Sequence, residues 1–193
     1  MRFIVSVELA IPVVERLVLL QEELNEPIQA SHGAVRWTAP EHLRLNLMIF
    51  PSLETGTVQR LQETLSALAQ ARAPLPFMTR GTDARKVQGS ARLVTTRVDQ
   101  GSDALQELQQ ALNDEAEATG YESDPRPWTP RILLGRLATP HAQVSDFDTL
   151  FAPYEDTAWG ETRAQELVLY RSEIVGKSER IRVVKRFALG SGI

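Results

Sequence analysis

The sequence PEHLRLNLMIF, at residues 40–50, places leucines alternately with Arg44 and Asn46. A period of two predicts a strand with one buried face, on which the leucines lie, and a second face that carries Arg44 and Asn46 together. A similar stretch, PRILLGRL at residues 130–137, also begins with proline and has Arg131 as its second residue. The two stretches predict two halves of the protein, each with an arginine-bearing strand.

Strand and helix patterns alternate along the rest of the chain and end in a β-hairpin that turns at residues 175–178. The first helix is expected to end near Pro27, and Pro140 and His141 are placed in a loop. The predicted strands are Phe3 to Glu8, Val35 to Trp37, Leu43 to Phe50, Phe77 to Arg80, Ala91 to Val98, Arg131 to Leu137, Leu167 to Ser172 and Arg180 to Leu189; the predicted helices begin at Pro12, Thr57, Ser102 or Asp103, and Phe147.

Composition limits the classes of function. The 193 residues carry 21 basic and 25 acidic side chains, a net charge of −4. This balance argues against a protein that binds nucleic acid over its whole surface, but not against a local basic groove. The absence of cysteine excludes disulfides, thiolate nucleophiles and cysteine-ligated zinc, and three histidines leave little for another metal site. We therefore expect neither a metal nor a cofactor.

The amino-terminal run from Met1 to Leu9 is interrupted by Glu8 and has no small-residue cleavage site, so it does not resemble a signal peptide. No window reaches the ~18 uninterrupted apolar residues that a membrane-spanning helix requires. We expect a cytoplasmic protein with no membrane partner. No Gly/Ser-rich or Pro-rich linker separates the halves, so residues 1–193 are expected to form a single two-lobed domain.

Six segments of the sequence carry a resemblance to one family. They are Met1 to Leu9, Val35 to Leu47, the strand containing Arg92 to Val94, Gly120-Tyr121 with Arg126 to Trp128, Pro130 to Arg136, and Leu167 to Ser172. In this order and at these spacings they resemble the RNA 2′,3′-cyclic phosphodiesterases, also called 2′–5′ RNA ligase-like or LigT-like proteins, of the 2H phosphoesterase superfamily.

The resemblance implies an α+β fold of two lobes, whose antiparallel sheets face a central groove and carry helices on their outer faces. The family is named for two His-x-Thr/Ser motifs, one on a central strand of each lobe. In this sequence the matching positions are Arg44 and Asn46 in the first motif and Arg131 and Leu133 in the second. Both motifs are therefore lost, which indicates a degenerate member of the family.

The substitutions change the chemistry that the resemblance implies. In the family reaction one imidazole activates water and the other protonates the ribose oxygen that leaves, and both tasks require a pKa near neutrality. A guanidinium has a pKa of roughly 12.5–13.8 and stays protonated, so Arg44 is no general base and Arg131 no useful acid. We expect histidine-type catalysis to be absent.

Arginine is suited to binding instead, because its planar fork donates paired hydrogen bonds to phosphate and keeps its charge. The prediction is an asymmetric anion site for a phosphorylated ligand, an RNA end or a nucleotide, since Leu133 cannot donate a hydrogen bond. Trp37 and Trp128 are candidates for stacking on a base, and Arg92 for extending the positive track. The candidate ligand-binding residues are Arg44, Asn46, Arg131, Trp37, Trp128 and Arg92.

Several alternatives stay open. Arg44 and Arg131 are structural if carboxylates such as Glu8 neutralise them. Two cations can also stabilise a pentacoordinate phosphorus, so a cyclic phosphodiesterase with residual or altered activity is a second hypothesis. A protein-interaction module on the same scaffold is a third. His42, two residues before Arg44, is expected to point to the same face as that arginine, but about 6–7 Å away along the strand.

Overall fold

The protein is described here from a computed structural model, and the description covers residues 2–87, 90–118, 121, 127–141, 147–176 and 178–190. The strands are β1 (Arg2–Glu8), β2 (Val35–Trp37), β3 (Arg44–Phe50), β4 (Leu75–Val87), β5 (Ser90–Val98), β6 (Arg131–His141), β7 (Ala158–Ala164), β8 (Glu166–Val175) and β9 (Ser178–Ala188). The helices are α1 (Ile11–His32), α2 (Thr55–Gln70), α3 (Ser102–Ala118) and the short α4 (Asp148–Phe151).

Within the described residues the nine strands form one sheet in the order β7-β4-β5-β6-β3-β1-β8-β9, with β2 paired to β6. Each pair of neighbouring strands is antiparallel. Helices pack on one face of this sheet. Their apolar residues and those of the strands form one core cluster between the helices and the sheet. The α+β prediction is confirmed.

The two halves of the sheet meet where β3 pairs with β6, through Leu45 and Ile132. Both side chains are fully buried in the main core cluster, which also includes Val5 of one half and Val94 of the other. The arginine-bearing strands predicted from the repeated pattern are therefore neighbours, and the core runs continuously beneath both.

Helix α1 is longer than predicted and continues through Pro27 to His32. A proline inside a helix removes one hydrogen bond and is costly, so the sequence predicted an end there. The buried stripe of α1 nevertheless continues past it, because Ile28 is fully buried one turn after Leu24. Tertiary packing of the apolar face outweighs the local penalty of the proline.

The start of α2 also differs from the prediction, which placed the cap at Thr57. The backbone N–H groups of Thr57 and Val58 both donate to the carbonyl oxygen of Glu54, at 3.0 Å each. The helix therefore begins at Thr55, with Glu54 as its cap and no capping hydrogen bond from a side chain.

Three strand predictions need correction. Strand β4 runs to Val87 instead of ending at Arg80, because β5 pairs with it from Asp83 to Val87. Strand β6 continues through Pro140 to His141, which the sequence placed in a loop, and His141 pairs with Ala91. Strand β7 was not predicted, because AWGETRA contains a glycine and few β-branched residues; pairing with β4 holds it in place.

The predicted carboxy-terminal hairpin is confirmed as β8 and β9, and Gly176 adopts a left-handed backbone, with φ of 65°, between them. In the described part of the chain no helix combines the length and apolar character that crossing a membrane requires. Nor do the described His, Asp and Glu side chains form a group of three or more that could hold a metal ion.

Candidate functional site

Arg44, Asn46 and Arg131 lie together on the face of the sheet opposite to the main core, which we call the open face. Alternation along the paired strands produces this arrangement, because Leu45 and Ile132 point into the core and their chain neighbours point away from it. The open face also bears a small apolar cluster of Ile4, Val168 and Tyr170, with Ile181 packed against it.

Arg44 is buried on this face, with only 6% of its surface exposed. Its guanidinium carbon lies 4.0 Å from the centre of the Tyr170 ring, a cation–π contact. Its Nη1 atom is buried and has no hydrogen-bond partner in the described structure. Burial lowers the pKa of Arg44 below its ordinary value, and interactions with Tyr170 and Glu8 oppose that shift. The group is a buried cation with unused hydrogen-bonding capacity.

Glu8, the carboxylate weighed as a partner of Arg44, forms its hydrogen-bonded ion pair with Arg186. Nη1 of Arg186 donates to Oε2 of Glu8 at 2.7 Å, and Nη2 donates to Oε1 at 2.8 Å. The Tyr170 hydroxyl also donates to Oε1, at 2.5 Å. Hydrogen bonds from Arg186 lower the pKa of Glu8, while burial and then Glu8 raise the pKa of Tyr170 to about 12. Glu8 thus acts on Arg44 only through space.

Asn46 presents its amide nitrogen to the open face. Its Oδ1 atom accepts a hydrogen bond from Ser6 Oγ at 2.8 Å and a long one from Arg44 Nε at 3.4 Å. Because arginine Nε–H can only donate, the atom that faces it must be the oxygen. The NH₂ group is therefore the end of the amide that is bonded to neither Arg44 nor Ser6, and no hydrogen bond joins it to another described residue.

Arg131 is held differently. Its Nη1 atom donates to Oδ2 of Asp83 in a close ion pair and makes a long contact of 3.4 Å with Thr95 Oγ1. The Thr95 hydroxyl donates to the other carboxylate oxygen of Asp83 at 2.5 Å. Nε of Arg131 is buried and has no partner in the described structure. The structural alternative, an arginine neutralised by a carboxylate, therefore describes Arg131 but not Arg44.

Solved structures with this fold cover nearly the whole chain. TT0787 of Thermus thermophilus superposes with a TM-score of 0.79 at 21% identity over 98% of both chains. Escherichia coli LigT complexed with 3′-AMP gives 0.74 at 21% identity over 97% of both. Kluyveromyces marxianus Usb1 gives 0.53 at 14% identity over 95% of this chain and 98% of that one.

The chain has the same fold as LigT and TT0787. No protein-family model matches its sequence, and no curated protein matches it either. The likeness is therefore one of fold, and the side chains on the open face have to be judged on their own geometry.

Trp37 and Trp128, the candidates for stacking on a base, both pack against the main core. Trp37 also donates from Nε1 to Oδ1 of Asn25 on α1, at 2.9 Å, and its ring covers Gly135. The structure therefore does not bring Trp37 to the open face, and it supports a packing role for Trp128. The side chain of Arg92 lies outside the described residues.

His42 does not share a strand with Arg44, contrary to the prediction. Pro40 begins a 3₁₀ turn that ends at His42, and the N–H of Leu43 bonds to the carbonyl of Pro40 at 3.1 Å. Strand β3 starts only at Arg44, so alternation does not apply to the histidine. The side chain of His141 lies outside the described residues.

Asp83, Thr95, Tyr170 and Arg186 complete the site and were not assigned from the sequence. Tyr170 lies in a segment that carried the family resemblance, and its alternation with Val168 could have placed it on the open face. Asp83 had no such signal, because the predicted strand ended before it. Leu133 lies opposite Thr95 in β5 and supplies no donor, as expected.

The arrangement is suited to holding an oxyanion. Arg44 provides a permanent charge and an unused donor, and Asn46 provides two amide hydrogens beside it. Guanidinium, amide and phenol groups do not titrate near neutral pH, so these side chains stabilise charge and do not shuttle protons.

Proposed function

We propose that this protein binds a phosphorylated ligand, an RNA end or a nucleotide, on the open face through Arg44, Asn46 and Arg131, and that it does so without two-histidine catalysis. The supporting observation is the state of Arg44, whose guanidinium is buried, stacked on Tyr170 and short of a hydrogen-bond partner. No ion pair in the described part of the chain includes it.

A buried cation without a hydrogen-bonded counter-ion is costly, because desolvation is not offset by pairing. The cation–π contact with Tyr170 recovers about 2 kcal/mol or more in such a desolvated setting, which is less than the several kcal/mol that burying an ion costs. A phosphate oxygen bound to Arg44 would supply the missing charge and accept from the unused donors. The unoccupied amide of Asn46 would donate to the same group, which makes the first half of the site the stronger half.

Solved LigT structures support the ligand class. Escherichia coli LigT has been solved with 3′-AMP, ATP, NADP⁺ and phosphate, and each of these ligands carries phosphate. In this chain Asp83 already occupies one side of Arg131, as an internal anion. We propose that a bound phosphate shares Arg131 with Asp83 and takes most of its binding energy from Arg44.

Titration with 3′-AMP and with inorganic phosphate, followed by calorimetry, tests the proposal. We expect Arg44→Gln to weaken binding by about tenfold or more, since a charged hydrogen bond contributes ~1.5–3 kcal/mol. Arg60→Gln is the matched control, because it removes the same charge from an exposed position on α2. Equal affinities in wild type and Arg44→Gln would overturn the proposal and favour the interaction-module alternative.

The alternative with residual activity is tested in the same samples. Two guanidiniums and an amide on one face supply the electrostatic part of phosphoryl catalysis, which needs no proton transfer from them. Hydrolysis of 2′,3′-cyclic AMP that persists in wild type and disappears in Arg44→Gln would establish a phosphodiesterase. We expect no turnover above the Arg44→Gln background.

A further inference from the structure

A cationic cavity lies on the hairpin of β8 and β9, and Arg44, Asn46 and Arg131 do not line it. It has a volume of about 310 Å³, and we call it the ribbon site; its lining residues are Arg171, Glu173, Arg180, Arg182, Val183 and Val184. Arg171 pairs across β1 with Phe3, which belongs to the main core. Cross-strand partners share a face, so the arginines of the ribbon site lie on the helix-bearing side of the sheet.

Positive charge at the ribbon site is only partly balanced. Arg171 lies directly opposite Arg182, and Glu173 lies opposite Arg180. The carboxylate of Glu173 forms its close ion pair with Arg171. Arg180 and Arg182 are exposed and make no ion pair or hydrogen bond with another described residue. Like charges opposite each other destabilise a sheet, so the site carries two uncompensated cations at an electrostatic cost.

A bulge in β9 adds an apolar wall. The pairing shifts between Leu169, which faces Lys185, and Tyr170, which faces Val183, so Val184 is an extra residue. Val183 and Val184 are 47% and 39% exposed, although valine is usually buried. Val183 lies opposite Tyr170 and so on the open-face side of β9, whereas the arginines lie on the helix-bearing side, so the cavity extends around this edge strand and has a charged end and an apolar end.

We propose that the ribbon site binds a phosphate monoester carried by a nucleotide. A monoester has about −1.5 to −2 charge at pH 7, which matches the two unpaired arginines better than a monoanionic carboxylate or diester does. Arginine also recognises phosphate through paired hydrogen bonds. The valines suit an apolar surface such as a nucleobase, and the cavity is at the small end of the ~300–1,000 Å³ typical of ligand sites.

The charged end of the ribbon site is separate from the open face, although β8 contributes to both. Tyr170 stacks with Arg44 on one face, and Arg171, the next residue, lies on the other. Successive residues of a strand point in opposite directions, so a phosphate bound by the arginines of the ribbon site does not touch Arg44. Binding at the ribbon site therefore does not depend on the function proposed for Arg44.

Methyl NMR of the full-length protein during titration with 5′-AMP separates the two sites. The methyl signals of Val183 and Val184 report on the ribbon site, and those of Leu133 report on the open face. Because Val183 lies opposite Tyr170, the valine response is assigned to the ribbon site only where it persists in Arg44→Gln. We expect both valines to shift in wild type and in Arg44→Gln. Shifts of Leu133 alone would overturn the ribbon-site proposal, whereas shifts of the valines alone would overturn the open-face proposal.

Charge neutralisation identifies the residues responsible. Arg180→Gln/Arg182→Gln should weaken the valine response to 5′-AMP by about tenfold or more, as expected for the loss of charged hydrogen bonds. Arg36→Gln/Arg136→Gln is the matched control, because it removes two exposed arginines that also face each other across a strand pair. If the valine response weakens equally in both double variants, the net charge of the protein alone explains the effect, and the proposal is overturned.

The source of the phosphate is distinguished by a second ligand. A 5′-phosphorylated single-stranded RNA that shifts Val183 and Val184 at lower concentration than 5′-AMP would identify an RNA end as the ligand. If the RNA and 5′-AMP shift these signals at equal concentrations, the site recognises only the nucleotide unit that carries the phosphate. Adenosine, which lacks phosphate, should leave both signals in place, and a response to adenosine equal to that of 5′-AMP would overturn the assignment of a phosphate site.

Discussion

Arg44 and Arg131 begin the two neighbouring strands that join the halves of the sheet, yet their surroundings differ. Arg131 forms an ion pair with Asp83, which Thr95 holds in place. Arg44 instead rests on the Tyr170 ring, and its buried Nη1 atom makes no hydrogen bond in the described structure. The same residue type at corresponding positions thus has a resident anion in one half and lacks one in the other.

The difference shows that the identity of a site residue does not determine its electrostatic role. A carboxylate beside Arg131 makes that arginine part of the folded framework, whereas Arg44 has no ion-pair partner among the described residues and is the arginine for which we propose an external anion. Binding should therefore be asymmetric for two reasons, since Leu133 also lacks the donor that Asn46 provides in the other half.

Tyr170→Ala is the substitution with the largest expected effect on this comparison. It removes a buried aromatic ring that packs on Ile4 and Val168 and supports Arg44. We expect a loss of about 3–5 kcal/mol in the free energy of unfolding, as for other buried aromatic truncations. Urea denaturation measures this loss, and a cost below about 1 kcal/mol would contradict the structure.

Tyr170→Phe is the control for that substitution. It keeps the ring beneath Arg44 and removes only the hydroxyl that donates to Glu8. A loss of about 0.5–1.5 kcal/mol is expected for one hydrogen bond, with phosphate affinity retained.

Some features of this fold could be predicted from local pattern alone. Alternation placed Arg44 and Asn46 on one strand face, and the repeated proline and arginine identified the matching strand in the second half. The continuation of α1 through Pro27 could not be predicted, because it depends on packing of Ile28 against strands far along the chain. Strand β7 depends in the same way on its pairing with β4.

The candidate site could be predicted only in part, because its partners come from distant strands. Asp83 and Arg131 are 48 residues apart, and their contact depends on the register of β4, β5 and β6. That register includes bulges, which no periodicity in the sequence reveals. Glu8 could be named as a nearby carboxylate, but its pairing with Arg186 joins residues 178 positions apart.

Asp83→Asn should lower the free energy of unfolding by an intermediate amount, because it removes the counter-ion of Arg131 and leaves Arg44 unaffected. It leaves Arg131 without its counter-ion, and because the pair is partly exposed we expect a loss of about 1–2 kcal/mol in unfolding free energy. A double-mutant cycle with Arg131→Gln should recover most of that loss as coupling energy. The parallel cycle of Glu8→Gln with Arg44→Gln should give less than about 0.5 kcal/mol, and equal couplings would remove the distinction.

Removal of Asp83 also frees Arg131 for a ligand. Phosphate should therefore raise the thermal midpoint of Asp83→Asn more than that of wild type, because bound ligand stabilises the folded state by mass action. A smaller rise in the variant would show that Asp83 helps to bind phosphate and does not compete with it.

The pH dependence of Glu8 is the smallest expected effect and tests which arginine neutralises it. Hydrogen bonds from Arg186 lower the pKa of Glu8 below 4.5, so its stabilising contribution is present above that pH and is lost as pH falls through the folded-state pKa. The stability difference between wild type and Glu8→Gln should be about 1 kcal/mol or less at pH 7, because the pair is exposed, and should shrink as the pH falls below 4.5. Arg186→Gln should remove most of this dependence, leaving the part due to Tyr170, and Arg44→Gln should preserve most of it, since Arg44 acts on Glu8 only through space. If urea denaturation instead shows that the pH dependence is lost in Arg44→Gln and kept in Arg186→Gln, then Arg44 neutralises Glu8. The two halves of the site would then be electrostatically alike.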